Sequence, residues 1–278
     1  YQYSRKPPKN VKPLDNVIVR LTNIECSWGN SIEETAKRDK NGNCAKFLND
    51  LIGWSEIANR LYIWDYCVNF RNYLLPFPNF RSMEKNIELY RKSNIKGVLM
   101  QGNFSYGGGG YMDEVKSYVI SHLLRDDHSD VKTLIKEFCD NYYGEASPYI
   151  QEYIYLWEDE VNGKELWLYD DADSNLFNSF NIEKASELIN KALTYKTEKT
   201  QKRIERVALG LEYLKLVRLP LDYERRNEKI EEFYEKVRSQ RITELFERTA
   251  LEYSIDIMKK SRYCKERNNW YSLYYIMR

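Results

Sequence analysis

The apolar positions of this chain follow two rhythms, and the change from one to the other falls near residue 125. Before it, short continuous apolar runs alternate with stretches of helical spacing. Residues 16–24, NVIVRLTNI, put β-branched Val17, Ile18 and Val19 ahead of Leu21 and Ile24 and predict a strand. Residues 47–60 carry Phe47, Leu48, Leu51, Ile52, Trp54, Ile57 and Ala58 at helical intervals. Leu61-Tyr62-Ile63-Trp64 is almost wholly apolar and reads as a strand buried on both faces. Residues 83–93 predict an amphipathic helix with Ile87 and Tyr90 inward, residues 98–100 a third buried strand, and residues 112–124 another helix. Residues 30–44 are polar and read as a loop.

Strand and helix in alternation is the signature of βαβ units and a parallel sheet. Each predicted strand ends in polar groups. Glu25 and Trp28 follow the first; Asp65, Tyr66, Asn69, Arg71 and Asn72 follow the second; Gln101 and Asn103 follow the third. Ligand sites in α/β proteins lie at such carboxyl ends. The opening YQYSRKPP reads as the tail of a further strand, with Tyr3 at its end, and implies a chain preceded by more protein. Four βα units are half of an eight-stranded barrel of about 250 residues. The expected fold is therefore α/β then all-α: the carboxyl-terminal half of a (β/α)8 TIM barrel over residues 1–125, then a helical region over residues 126–278.

In that second region residues 131–143, 147–161, 182–196, 198–217, 227–240 and 242–263 show helical periodicity. They are rich in Glu, Lys and Arg, which reads as a solvated face on helices packed on the barrel. No 34- or 40-residue repeat marks a solenoid.

Composition narrows the chemistry by exclusion. A formal net charge of +1 over 278 residues gives no electrostatic case for nucleic acid. No apolar run is long enough to predict a membrane span. The 2 histidines, His122 and His128, and the 5 cysteines stand in no metal-ligand or triad spacing, so neither a metal nor a cofactor is predicted. Cys26 and Cys44 flank one loop: a disulfide in an oxidising compartment and buried free thiols are both compatible with that spacing. The glycines at 107–110 lack the Lys-Ser/Thr ending of a phosphate loop and read as a mobile loop or plain flexible turn.

The 24 tyrosines and 6 tryptophans then gain interest beside the strand-end carboxylates. Glycoside hydrolysis uses an acid and a second group that stabilises an oxocarbenium-like transition state. Glu25 and Asp65 are the candidate catalytic pair. Trp28, Trp64 and Tyr66 are candidate stacking rings, and Tyr3, Asn69, Gln101 and Asn103 candidate substrate contacts.

YQYSRKPP, the IEC after the first predicted strand, RLYIWDY with NYLLPFPN, KGVLMQGNFS and its glycine-rich sequel, and EFCDNYYGEASPYIQEYI resemble a bacterial family catalogued as a domain of unknown function. That family is common in Bacteroidetes and overlaps glycoside hydrolase family 163; the resemblance runs from residue 1 to about residue 155. It implies a barrel of the hexosaminidase and α-glucuronidase kind. It further implies endo-β-N-acetylglucosaminidase activity on N-glycans, with the substrate's acetamido group as nucleophile and a periplasmic or cell-surface location. The general acid of related barrels follows strand four, which would precede Tyr1, so the missing amino-terminal half of the barrel becomes the expected partner. One departure stands out: the family's histidine and proline after IEC are replaced by Ser27-Trp28-Gly29-Asn30. Two alternatives stay open. One is a non-catalytic glycan-binding protein on a degenerate barrel. The other is an exo-acting α-glucuronidase-like hydrolase, with Arg71 reading a uronate.

Overall fold

The computed structural model describes residues 5–126 and 129–261. Tyr3 and the expected strand at residues 1–3, His128 and Cys264 lie outside the described residues. The chain divides into two compact units: residues 1–68, 77–102 and 112–168 form the first, and residues 69–76, 103–111 and 169–278 the second. This division departs from the expected border at residue 125.

The first unit contains a three-stranded parallel sheet in sequential order, β1 (Val19–Thr22), β2 (Leu61–Tyr66) and β3 (Ile95–Gln101). The crossover from β1 to β2 holds α1 (Ile32–Arg38) and α2 (Asn43–Ile57), and that from β2 to β3 holds α3 (Phe80–Lys92). Helix α1 lies inside the stretch expected to be a loop. Its start is a capping box in which Ser31 Oγ accepts from Glu34 N at 3.2 Å and Ser31 N donates to Glu34 Oε2 at 3.1 Å. Polar composition concealed it, because capping residues are themselves polar. β1 is shorter than expected: Val17 and Ile18 are exposed, and Val17 N closes a turn onto Leu14 O.

Register fixes which side chains share a face. Thr22, Trp64 and Leu99 stand in line across the sheet, as do Tyr66 and Gln101. Leu21, Leu61, Ile63 and Asp65 are buried, while Arg20, Thr22, Tyr62, Trp64, Leu99 and Gln101 remain half-buried or exposed. The strands at 61–64 and 98–100 are thus not buried on both faces: β2 has one packed and one half-open face, and no residue of β3 is fully buried. Gly97 sits opposite Tyr62 because a Cβ there would lie 2.6 Å from the tyrosine ring.

Helices α4 (Asp113–Arg125), α5 (Val131–Tyr143) and α6 (Ser147–Val161) complete the first unit. The last two were expected in a separate helical region. They belong here because α6 supplies Glu158, whose buried carboxylate accepts from Phe80 N at 2.9 Å and Arg81 N at 3.2 Å. It caps the first turn of α3, where Asn79 makes no side-chain cap of its own. After α6 the chain stays with this unit, Leu166 O accepting from Trp28 N at 2.9 Å.

The second unit carries α7 (Ser179–Thr194), α8 (Gln201–Arg218), α9 (Arg226–Ser239) and α10 (Leu251–Lys260). The helix expected over 242–263 begins only at Leu251. Ile242, Leu245 and Phe246 are buried in a turn segment that includes Arg248 at φ 56°, so apolar spacing there marks core contacts and not a helix. The glycine run is held, not free. Tyr106 N donates to Thr243 Oγ1 at 3.0 Å, Ser105 Oγ accepts from Thr243 N at 3.0 Å, and Arg206 donates to Gly107 O. Gly107, at φ +79°, leaves room for Arg241 O, which would lie 2.3 Å from a Cβ.

Candidate functional site

The carboxyl end of β2 presents Asp65, a residue only 2% exposed. Its Oδ1 accepts from Asn23 Nδ2 at 2.7 Å, Trp28 Nε1 at 3.0 Å and its neighbour Tyr66 N at 2.7 Å; its Oδ2 accepts from Tyr90 Oη at 2.7 Å. Donors thus reach it from the loop after β1, from β2 itself and from α3. A carboxylate so engaged binds the strand end to its surroundings. It also sets the local field: burial first, then the Asp65 charge, push the Tyr90 phenol well up. Burial and Asp65 push the Cys67 thiol up to about 12.

Glu25 has a different environment. Its side chain is half exposed and pairs with Arg5 Nη1 at 2.5 Å, and Arg5 Nε donates to Asp50 Oδ2 at 2.7 Å. The two carboxylates expected to act together share no hydrogen-bond partner among these contacts. Asp65 is a buried organising group and Glu25 one end of a surface ion pair.

The rings divide in the same way. Trp28 is buried, edge-on to Tyr66 with centroids 5.8 Å apart, and Tyr66 Oη lies 3.0 Å from Thr22 Oγ1. Both serve the core, where their polar tips are satisfied. Trp64 stands on the open face: its Nε1 donates to Gln101 Oε1 at 2.6 Å and the Arg20 guanidinium lies 5.7 Å from its ring centre. Arg20, Trp64 and Gln101 therefore form one connected, half-open surface across all three strands.

Asn69 and Asn103 belong to the second unit. Asn69 Oδ1 accepts from Arg71 N and Asn72 N, each at 2.9 Å, and its Nδ2 donates to Asp170 O at 2.8 Å, a turn-forming role. Asn103 is half exposed, with its Nδ2 buried. Arg71, the residue considered for a uronate, pairs with Asp171 at 3.2 Å.

Sequence reasoning passed over several participants. Asn23, Tyr90, Arg20 and Arg5 lay in segments read as ordinary strand, helix or loop, and their partners are 20 to 67 residues distant. Lys116 was absorbed into an amphipathic helix. Its ammonium is buried, donating to Cys67 O at 2.7 Å and Phe77 O at 2.9 Å beneath the Phe77 ring. Those carbonyls mark where the chain leaves the first unit and where it returns. Burial lowers the Lys116 pKa to about 8. A lysine inside an apolar pattern was the available signal.

Among the described residues no group of three or more His, Cys, Asp or Glu side chains is placed to hold a metal ion, and no helix is long and apolar enough to cross a membrane. Comparison with curated proteins and with solved structures returned no match. A family model does match, over residues 1–155, which take in the sheet, Asp65 and the Arg20–Trp64–Gln101 surface. By that match the chain belongs to the family described as Domain of unknown function (DUF4838).

Proposed function

We propose that this chain forms the substrate-binding part of a carbohydrate-active barrel acting on N-acetylhexosamine-containing glycans. The observation that carries the reading is the open face of the sheet, where Trp64 is held between Arg20, near the start of β1, and Gln101, at the end of β3. An indole fixed by its own N–H offers a flat apolar face for a sugar ring, and the flanking amide and guanidinium suit hydroxyl and acetamido oxygens. The sequential order β1-β2-β3 supports a singly wound, barrel-type sheet. A doubly wound sheet would reverse its order at a switch point. The two edges, with no partner strand among the described residues, and the open face suit the addition of further strands.

In that assembly the substrate's acetamido oxygen attacks the anomeric carbon while an acid on an added strand protonates the leaving oxygen, with retention of configuration. Asp65 then acts as a positioning residue, holding Trp28 and Tyr90 beneath the sugar site. A second reading, binding without hydrolysis, is favoured by one observation: neither of the two candidate carboxylates is free, Asp65 being saturated by donors and Glu25 ion-paired.

The two separate in one experiment. The protein encoded by the complete reading frame is incubated with a glycoprotein bearing complex N-glycans, and products are read by mass spectrometry. Release that leaves a single N-acetylhexosamine on the protein, abolished by Trp64→Ala, supports hydrolysis. Retention on the glycan without release supports the binding reading, and neither release nor retention overturns both.

A further inference from the structure

The loop after β1 brings Cys26 against Cys44, the second residue of α2. Both thiols are free and buried, at 1% and 4% exposure. Ser27 N, in the peptide that follows Cys26, donates to the Cys44 sulfur at 3.4 Å. Standard backbone dimensions then put the Cys26 Cα within about 6 Å of that sulfur, and the two thiols are hydrogen-bonding neighbours. Cys44 also occupies the first turn of a helix whose N-cap, Gly42, supplies no side-chain hydrogen bond and whose first turn holds no acidic residue. The backbone donor its sulfur does meet is Ser27 N, and a hydrogen bond to the sulfur favours the thiolate.

We infer that Cys26 and Cys44 form a redox-convertible pair, with Cys44 the nucleophile and a small hydroperoxide the oxidant. The environment separates the two thiols in the required sense. The Cys26 thiol beside it, opposed by burial and aided by Ser27 N, holds Cys44 below the usual thiol range, while burial holds Cys26 well above it. The two remaining described cysteines lack such support: burial pushes Cys67 and Cys139 up to about 12. A small oxidant is required by the tight burial. The Cys44 thiolate attacks one peroxide oxygen, giving a sulfenic acid and releasing hydroxide. The Cys26 sulfur then attacks the Cys44 sulfur, its proton leaving with the sulfenic hydroxyl as water. The two sulfurs lose two electrons in total; with hydrogen peroxide as the small hydroperoxide, the released hydroxide takes up the proton Cys44 lost on ionising and the sulfenic oxygen leaves as water, giving two waters.

The bond would close the segment carrying α1 and the start of α2, and so fix the loop that delivers Trp28 to Asp65. The test uses the whole chain with Cys264→Ser, so that this cysteine cannot exchange. Folded protein is treated with hydrogen peroxide, alkylated and mapped by mass spectrometry, and a second sample is refolded in an oxidising glutathione buffer. The expected result is a loss of 2 hydrogens per chain before alkylation, a cross-linked peptide pair containing Cys26 and Cys44, and Cys67 and Cys139 recovered unoxidised. In Cys26→Ser, whose hydroxyl can take over the donor role of the thiol, Cys44 should trap a sulfenic-acid probe about tenfold faster than Cys67. Absence of the 26–44 cross-link under both conditions, or preferential oxidation of Cys67 or Cys139, overturns the inference.

Discussion

A buried carboxylate is defined by its donors, and Asp65 has them from three directions. In Asp65→Asn an amide N–H replaces one acceptor, so either the Tyr90 hydroxyl or the Trp28 indole faces a donor. Hydrogen bonds to charged groups contribute about 1.5–3 kcal/mol each, so the substitution should destabilise the first unit by about 3 kcal/mol. Urea denaturation followed by tryptophan fluorescence checks this; a cost below about 1 kcal/mol would show that the carboxylate is dispensable to the fold. Lys116 gives a prediction in pH. Its pKa falls from 10.5 to about 8 on folding, so between those values the unfolded chain holds more protons and stability rises with pH. From about pH 7.5 to about pH 9.5 the gain from this group is about 2 kcal/mol. Burial of the thiols acts oppositely at the alkaline end, since folding raises the pKa of Cys67 and Cys139. The gain is therefore read as the difference between wild type and Lys116→Met, which should lack it. Parallel pH profiles for the two proteins would contradict the assignment.

Close approach between elements is visible at two glycines that carry different costs. A Cβ on Gly29 would lie 2.6 Å from the backbone oxygen of Lys164 and 2.9 Å from a Val161 methyl, neither of which can swing away. A Cβ on Gly97 meets the ring of Tyr62, which stands half-exposed on the open face and can rotate. Gly29→Ala should therefore cost about 2–3 kcal/mol and Gly97→Ala about 1 kcal/mol or less. Thermal or chemical melts of the two variants decide it, and the reverse ranking would mean that the loop after β1 yields more easily than the sheet. Much at this scale was legible in the sequence. Helices 131–143 and 147–161 were read at their observed bounds because their apolar stripes face a core along their whole length. Helix α1 was missed although Ser31 and Glu34 carry the capping-box spacing, and 242–250 was misread because buried residues in a turn imitate a helical period. Each of the three described strands overlaps an expected one, with different bounds, and their burial is less than expected. An apolar run shows that a strand is hydrophobic without showing that both of its faces are covered.

For the whole molecule, the candidate site was legible in its location and not in its roles. Polar groups after each strand marked the carboxyl end of the sheet, where the structure gathers Asp65, Asn23, Trp28 and Tyr90. Which of them is committed to structure depends on partners far along the chain, such as Tyr90 for Asp65 and Asp170 for Asn69, and no local pattern encodes those. The excursions 69–76 and 103–111, which leave the first unit to join the second, were equally hidden. Their anchors are backbone bonds such as Tyr73 N to Leu245 O at 2.9 Å. The Arg20–Trp64–Gln101 surface stays half-open, and we propose that it takes a sugar. The measurement that meets the claim most directly is calorimetric titration of the chain with an N-acetylglucosamine oligosaccharide, beside Trp64→Ala and Gln101→Ala. Saturable binding that weakens about tenfold in Trp64→Ala, the loss of roughly 1.4 kcal/mol of stacking, is the predicted result. No binding, or binding of equal strength in wild type and Trp64→Ala, would contradict it.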